Sequence, residues 1–435
     1  MILVRCRNRR ARVCPSCAWE YQGDIWQLFY AGVAGGRKGV PEHIATHPMA
    51  FVTLTAPGFG VVHTQTADRS CRPGTGHGVC PHGRPVWCEA HHADGDPRLG
   101  APLCADCYDH EGAVRFNWHA PELWRRFVIY LRRQLARVLR TSEAGFCRAC
   151  RLSFAKVAEF QRRGVVHLHA ILRLDGAGER FASVALGLDA GDLCAAARIA
   201  ASRVWVDHAG DGLGHGRIRF GAHCAIHPTG PSEDAAPRDA VAAYLVKYAT
   251  KSADDIGSAA GPAGRAKRTT GAIDDHLKQM VIRAHALDDE LYGVRRWAHM
   301  LGYRGHFATK SRAFSTTMGA LRRARTDYRS RGRRRHTVAA LGIWSFEGAG
   351  HRTRTEHALA VAQSEHAVAA RRRSSRWTRG EAATYEGASV VRGSQGTIMR
   401  TRGRPGRPDA APTCPTEAGG GRSGRSRPKR ERRHP

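Results

Sequence analysis

The chain has 435 residues, 42% of them hydrophobic, enough for two or three domains with real cores. With 69 Lys and Arg against 38 Asp and Glu, its formal charge of +31 attracts polyanions and makes their binding salt-dependent, although basicity does not separate DNA from RNA. No signal peptide and no apolar run of membrane-spanning length is evident, so the expectation is a cytoplasmic protein without a membrane partner, whose 13 cysteines are thiols and metal ligands rather than a disulfide framework.

Residues 1–45 form an N-terminal segment in which Cys6, Cys14 and Cys17 resemble part of a zinc knuckle, with Cys71 a candidate for the missing ligand. An apolar strand follows at Phe51–Thr55, carrying Thr53 and Thr55. Between residues 71 and 110 the chain is rich in Pro and Gly and poor in core residues. There Cys80, Cys88, Cys104 and Cys107 close on a Cys-x-x-Cys and are expected to hold one structural Zn²⁺; His82, His91 and His92 leave a His-containing set open. From Pro121 to Leu139 apolar residues recur at helical intervals, with Pro121 suited to a first turn.

Ser153–Phe160 and Val165–Leu172 read as two strands of a hairpin, with Gly164 free to take a positive φ in the turn. If the loop is Arg162-Arg163-Gly164, Glu159 stands across from His167, with Cβ atoms roughly 5 Å apart. His167 and His169, two apart on a strand, point to the same side. Two imidazoles and a carboxylate leave positions open for substrate oxygens and suit Mn²⁺ or Mg²⁺ better than a closed zinc site. Downstream, Tyr244-Leu-Val-Lys247-Tyr248-Ala-Thr-Lys251 repeats Tyr and Lys every four residues, which on a helix places the members of each pair on one face about 6 Å apart along the axis. Taken singly, a His-x-His is more often core packing, a tyrosine pair an aromatic stripe and a lysine repeat a solvated face. Their occurrence together, after a Thr-bearing strand, favours a site.

Residues 253–273 are rich in Gly, Ala and Ser and read as a linker, followed by a helical and basic accessory region over 274–350. Within it Gly302–Thr317 mixes aromatics with Arg304, Lys310 and Arg312, a combination suited to stacking on bases and contacting phosphates. A short Ala-rich helix is expected over Thr355–Ala370. Residues 351–435 are otherwise a basic, largely disordered tail, with Gly403-Arg404-Pro405 similar to a minor-groove arm.

The order of these motifs resembles the HUH endonucleases, and the doubled Tyr-x-x-Lys their two-tyrosine branch. FVTLTAPGFG (51–60), KVAEFQRRGVVHLH (156–169) and VAAYLVKYATKS (241–252) look closer still to the RepSA-type rolling-circle initiators of actinobacterial plasmids and integrative elements. The resemblance runs from Cys6 to about Trp344. It implies an α+β fold, with a central antiparallel sheet flanked by helices, a nicking and joining domain over 46–252, and the zinc-knuckle insertion and basic tail already described. It also implies Tyr244 and Tyr248 as nucleophiles, Lys247 and Lys251 beside them, a catalytic cation on Glu159, His167 and His169, and as partners single-stranded origin DNA with a host helicase and polymerase. The oligomeric state is not legible. A two-tyrosine transposase or relaxase would use the same residues, whereas a non-enzymatic zinc-containing DNA-binding regulator would leave the histidine hairpin without a purpose. A histidine-triad hydrolase would want a third His where Ile171 stands.

Overall fold

Period-two alternation of apolar residues builds one antiparallel sheet whose order is β6 (Ala225–Pro228), β1 (Met49–Leu54), β3 (Val166–Gly176), β2 (Cys150–Phe160), β7 (Ala308–Lys310). The computed structural model describes residues 6–9, 14–72, 76–184, 187–208, 216–229, 241–245, 272–330 and 353–377, all within the unit Met1–Ala388. A small second sheet pairs β4 (Trp205–His208) with β5 (Gly216–Arg219). No helix among the described residues is long and apolar enough to cross a membrane.

Because successive strand residues face opposite ways, the sheet serves two cores. Val52, Leu54, Leu168, Ala170 and Leu172 pack on one face against α2 (His110–Val138) and α4 (Ala190–Arg203), while α3 (Glu143–Ala149) leads into β2. Met49, Ala155, Val157 and Ile171 pack on the other against α1 (Pro15–Ala34), Phe314 and the helical residues 241–245. This second face carries His167 and His169 towards one end of β3 and a buried ionic network towards the other. Arg173, with no solvent exposure, grips Asp175 through Nε–Oδ1 (2.6 Å) and Nη2–Oδ2 (2.9 Å), and donates from Nη1 to the carbonyls of Gly32 and Phe314. Asp175 also accepts from Ser153 Oγ (2.6 Å) and lies 2.9 Å from His47 Nδ1. Burial pushes the Asp175 carboxyl up, but the bonds from His47 and Arg173 outweigh it and hold the group below the usual carboxylate range.

One expectation is corrected. The helix expected from Pro121 begins eleven residues earlier, at His110, where Asp109 accepts the Gly112 N–H at 2.6 Å, so Pro121 lies inside it. Burial of Phe116, Leu123, Phe127 and Leu131 outweighs the roughly 3 kcal/mol that an interior proline costs. Within 274–350, β7 pairs with β2 at the sheet edge, and α5 (Ala272–Ala286) packs against α2. Helix α6 (Met318–Ser330) contacts α1, whose Asp24 pairs with Arg325. Helix α7 (Arg354–Trp377) extends beyond the short helix expected there.

Candidate active site and metal-ligating clusters

The candidate site is built on β2–β3. Gln161 and Val165 close the turn through a 2.9 Å backbone bond, Gly164 takes φ 75°, and the register sets Glu159 opposite His167 and Val157 opposite His169. A side chain at Gly164 would strike Met280, Leu277 and Leu301 at 2.7–2.9 Å, so the turn requires glycine for space as well as for φ. The buried Asn117 of α2 fixes this turn from behind. Its Nδ2 donates to the carbonyls of Gly164 and Leu301, and its Oδ1 accepts the Val166 N–H, each at 2.9 Å.

On the face so positioned, Glu159 Oε2 lies 3.2 Å from Nε2 of the buried His169, and the His167 and His169 ring centroids are 5.8 Å apart. The other ring nitrogen of His169, Nδ1, lies 3.1 Å from Thr53 Oγ1 on β1. With Nδ1–H donated to that hydroxyl, Nε2 would present a lone pair to a carboxylate, an opposition that a proton or a cation between them relieves. Glu159 and His169 thus meet on this face with His167 beside them, while the groups of described residues whose ligand atoms all lie within 4.8 Å of one another are the three cysteine-containing ones. Tyr244 meets the His169 ring edge-on at 5.2 Å and Phe51 at 5.6 Å, which brings one of the expected nucleophiles to the same face. Lys247, Tyr248 and Lys251 lie outside the described residues.

The cysteines group differently from expectation. Cys80, Cys104 and Cys107 come together, but their fourth neighbour is His82, whose Nδ1 lies 3.1 Å from Cys107 Sγ and 3.7 Å from Cys104 Sγ. Cys88 instead joins His63, Cys71 and His92, with Cys88 Sγ 3.9 Å from His92 Nε2 and Cys71 Sγ 3.7 Å from His63 Nδ1. Cys71 is thereby withdrawn from the N-terminal group, where Cys6, Cys14 and Cys17 stand as three thiols.

Arg304, Lys310 and Arg312 stand in different surroundings. Arg304 lies over the Trp118 ring at 4.2 Å and Arg312 is exposed. Lys310 turns inward, donating to the carbonyls of Ser315 (3.1 Å) and Ser311 (3.3 Å), and burial with nearby Arg180 and Arg173 lowers its pKa to about 8. Lys156, pushed down to about 8 by burial, lies over Trp124 on the opposite face of the sheet and takes no part in the site.

Sequence reasoning missed Asn117 and His63, and left Thr53 and His92 without roles. Thr53 carried a signal, since an apolar β-strand with a hydroxyl beside a His-bearing strand invites a bond to the ring. Asn117, far away in sequence, carried none.

Residues 1–365 match the family described as "RepSA: Replication initiator protein, pSAM2". A "Replication initiator protein" from Streptomyces ambofaciens is 40% identical over 370 residues, covering 80% of this chain and 76% of the relative. No solved structure matches the chain. A family match across most of the sequence, agreeing with a relative of this identity and coverage, establishes that the chain belongs to the RepSA family of replication initiator proteins.

Proposed function

We propose that the protein starts rolling-circle replication by cutting one strand of its origin DNA with a tyrosine, and later rejoins that strand. The observation that carries this reading is the packing of Tyr244 against His169 on the face that also holds Glu159 and His167. In the cut, a phenol oxygen attacks phosphorus in line. The new O–P bond forms as the phenol gives up its proton and the P–O3′ bond breaks, and the departing 3′ oxygen takes up a proton, so that protons balance overall. The products are a 5′-phosphotyrosine and a 3′-OH that a polymerase extends behind a host helicase. Since the phosphodiester energy is retained in the phosphotyrosine, the reverse attack reseals the strand without ATP.

His167, His169 and Glu159 would hold Mn²⁺ or Mg²⁺, which when bound supplies charge neutralisation at the scissile phosphate. Thr53 fixes the His169 ring, Asn117 fixes the strand that carries it, and Lys247 and Lys251, neighbours of the tyrosines in sequence, would add positive charge. The formal charge of +31 supports capture of the polyanion before any chemistry. The test is cleavage of single-stranded origin DNA with and without Mn²⁺. Replacing His167 and His169 together by Ala should abolish divalent-dependent cleavage while leaving salt-sensitive DNA binding largely intact. Full cleavage by that variant overturns the assignment.

A further inference from the structure

We infer that the segment between β1 and α2 binds two structural zinc ions whose ligands alternate along the chain, and that this module braces the turn of the catalytic hairpin. The eight ligands fall in four successive pairs: His63 and Cys71, Cys80 and His82, Cys88 and His92, Cys104 and Cys107. The first and third pairs make one set, and the second and fourth make the other. Within each set all ligand atoms lie within 4.8 Å of one another. Tetrahedral zinc with Zn–S of ~2.3 Å and Zn–N of ~2.0–2.1 Å requires ligand separations of about 3.3–3.8 Å. The sulfur–nitrogen distances of 3.1, 3.7, 3.7 and 3.9 Å bracket that range.

Orientation supports the same reading. His92 has Nδ1 2.8 Å from Asp96 Oδ2, which leaves its Nε2 facing Cys88, the arrangement by which a carboxylate fixes a zinc-binding imidazole. Four protein ligands in each set leave no open position, so both ions are structural. The segment also needs them. Among its described residues from Val61 to Tyr108 pairing is limited to isolated bridges, and beyond the ligand cysteines only Leu99, Ala101 and Tyr108 are buried apolar side chains. So small a core does not order such a length of chain, and metal coordination supplies the missing stabilisation. The alternation means that each ion closes a loop containing ligands of the other, so the two sets hold one body.

That body rests on the hairpin turn. A Cβ at Gly100 would sit 2.6 Å from Arg162 Cβ and 2.9 Å from the Arg163 nitrogen, a measure of how closely the two backbones meet. Pro97 accepts the Ile273 N–H at 3.1 Å, and Tyr108 packs edge-on against His276, whose Nε2 lies 3.0 Å from the Arg163 carbonyl oxygen.

The experiment counts metal in the purified full chain, independently of DNA cleavage. Relative to the parent, Cys71→Ser with Cys88→Ser should lose one zinc, Cys104→Ser with Cys107→Ser another, and the fourfold variant two, whatever the N-terminal cysteines bind. Deuterium uptake at residues 161–165 should rise in the fourfold variant. Should either double variant shed both ions by collapsing, ligand-preserving changes decide: in Co²⁺-loaded protein His92→Cys and His82→Cys should each strengthen the thiolate-to-cobalt absorption with no loss of bound metal. A fourfold variant that loses one zinc or none, or a His92→Cys variant with an unchanged cobalt spectrum, overturns the two-ion assignment. Unaltered exchange at 161–165 overturns the brace.

Discussion

The hydroxyl of Thr53 and the Nδ1 of His169 lie 3.1 Å apart across directly opposed positions of β1 and β3. Only one ring nitrogen of His169 can then turn towards Glu159, so a neighbouring strand decides which nitrogen the site receives. Such bonds commonly set the affinity of an imidazole for metal without touching the metal.

Thr53→Val should therefore raise the Mn²⁺ concentration needed for half-maximal cleavage by roughly 10- to 100-fold, with DNA affinity unchanged. Thr53→Ser should restore the original dependence. A Val variant with an unaltered Mn²⁺ requirement would show that the hydroxyl does not position the ring.

Asn117→Leu should lower stability by about 2–4 kcal/mol, because it strands the Gly164 and Leu301 carbonyls and the Val166 N–H in a dry interior. Urea unfolding of the full chain measures it through the shift in midpoint. A midpoint within error of the parent would mean that the turn repairs those bonds elsewhere.

The hairpin was legible because strand geometry is periodic: once Gly164 is placed in the turn, Glu159 must face His167, and His169 must share its side. Ligand partition in the zinc segment follows no such period. Which loop crosses which is a matter of path, so Cys88, grouped by proximity in sequence with Cys80, belongs with Cys71. The start of α2 illustrates competition between two local rules. Proline favours a first turn, yet Asp109 capping Gly112 and the buried face ahead of Pro121 extend the helix backwards through it. The placement of α1, Phe314 and β7 on the sheet rests on contacts distant in sequence, for which residues 253–273 gave no hint beyond a change in composition.

His276 supplies a pH dependence. Burial pushes its ring down to about 4, its bond to the Arg163 carbonyl pushes the other way, and the charges of His110 and Arg163 lower it further. The ordinary value in an unfolded chain is about 6.5, so between these values the unfolded state binds more protons and stability rises with pH. The contribution is present above about pH 6.5 and is lost as the pH falls towards 4, roughly 3–3.5 kcal/mol for the full window. Urea midpoints at pH 7.5 and pH 5 should diverge more for the parent than for His276→Asn. Equal pH sensitivity in the two proteins would remove His276 as the source.

Tyr244 and Tyr248 supply the sharpest test. Tyr244 packs on His169, and Tyr248 follows it in the sequence at the four-residue interval read as a second nucleophile for the same phosphate. One phenol suffices for a first cut, so Tyr244→Phe and Tyr248→Phe should each retain some nicking, while the double change should eliminate the covalent 5′-linked adduct. Termination needs a second transfer while the first end is still attached. A single change should therefore reduce the yield of closed product circles more than it reduces initial nicking. Mass spectrometry of the DNA-linked peptide decides between the outcomes: adducts at both positions support alternation, an adduct at one alone reduces the mechanism to a single tyrosine, and an adduct at neither removes both residues from the chemistry.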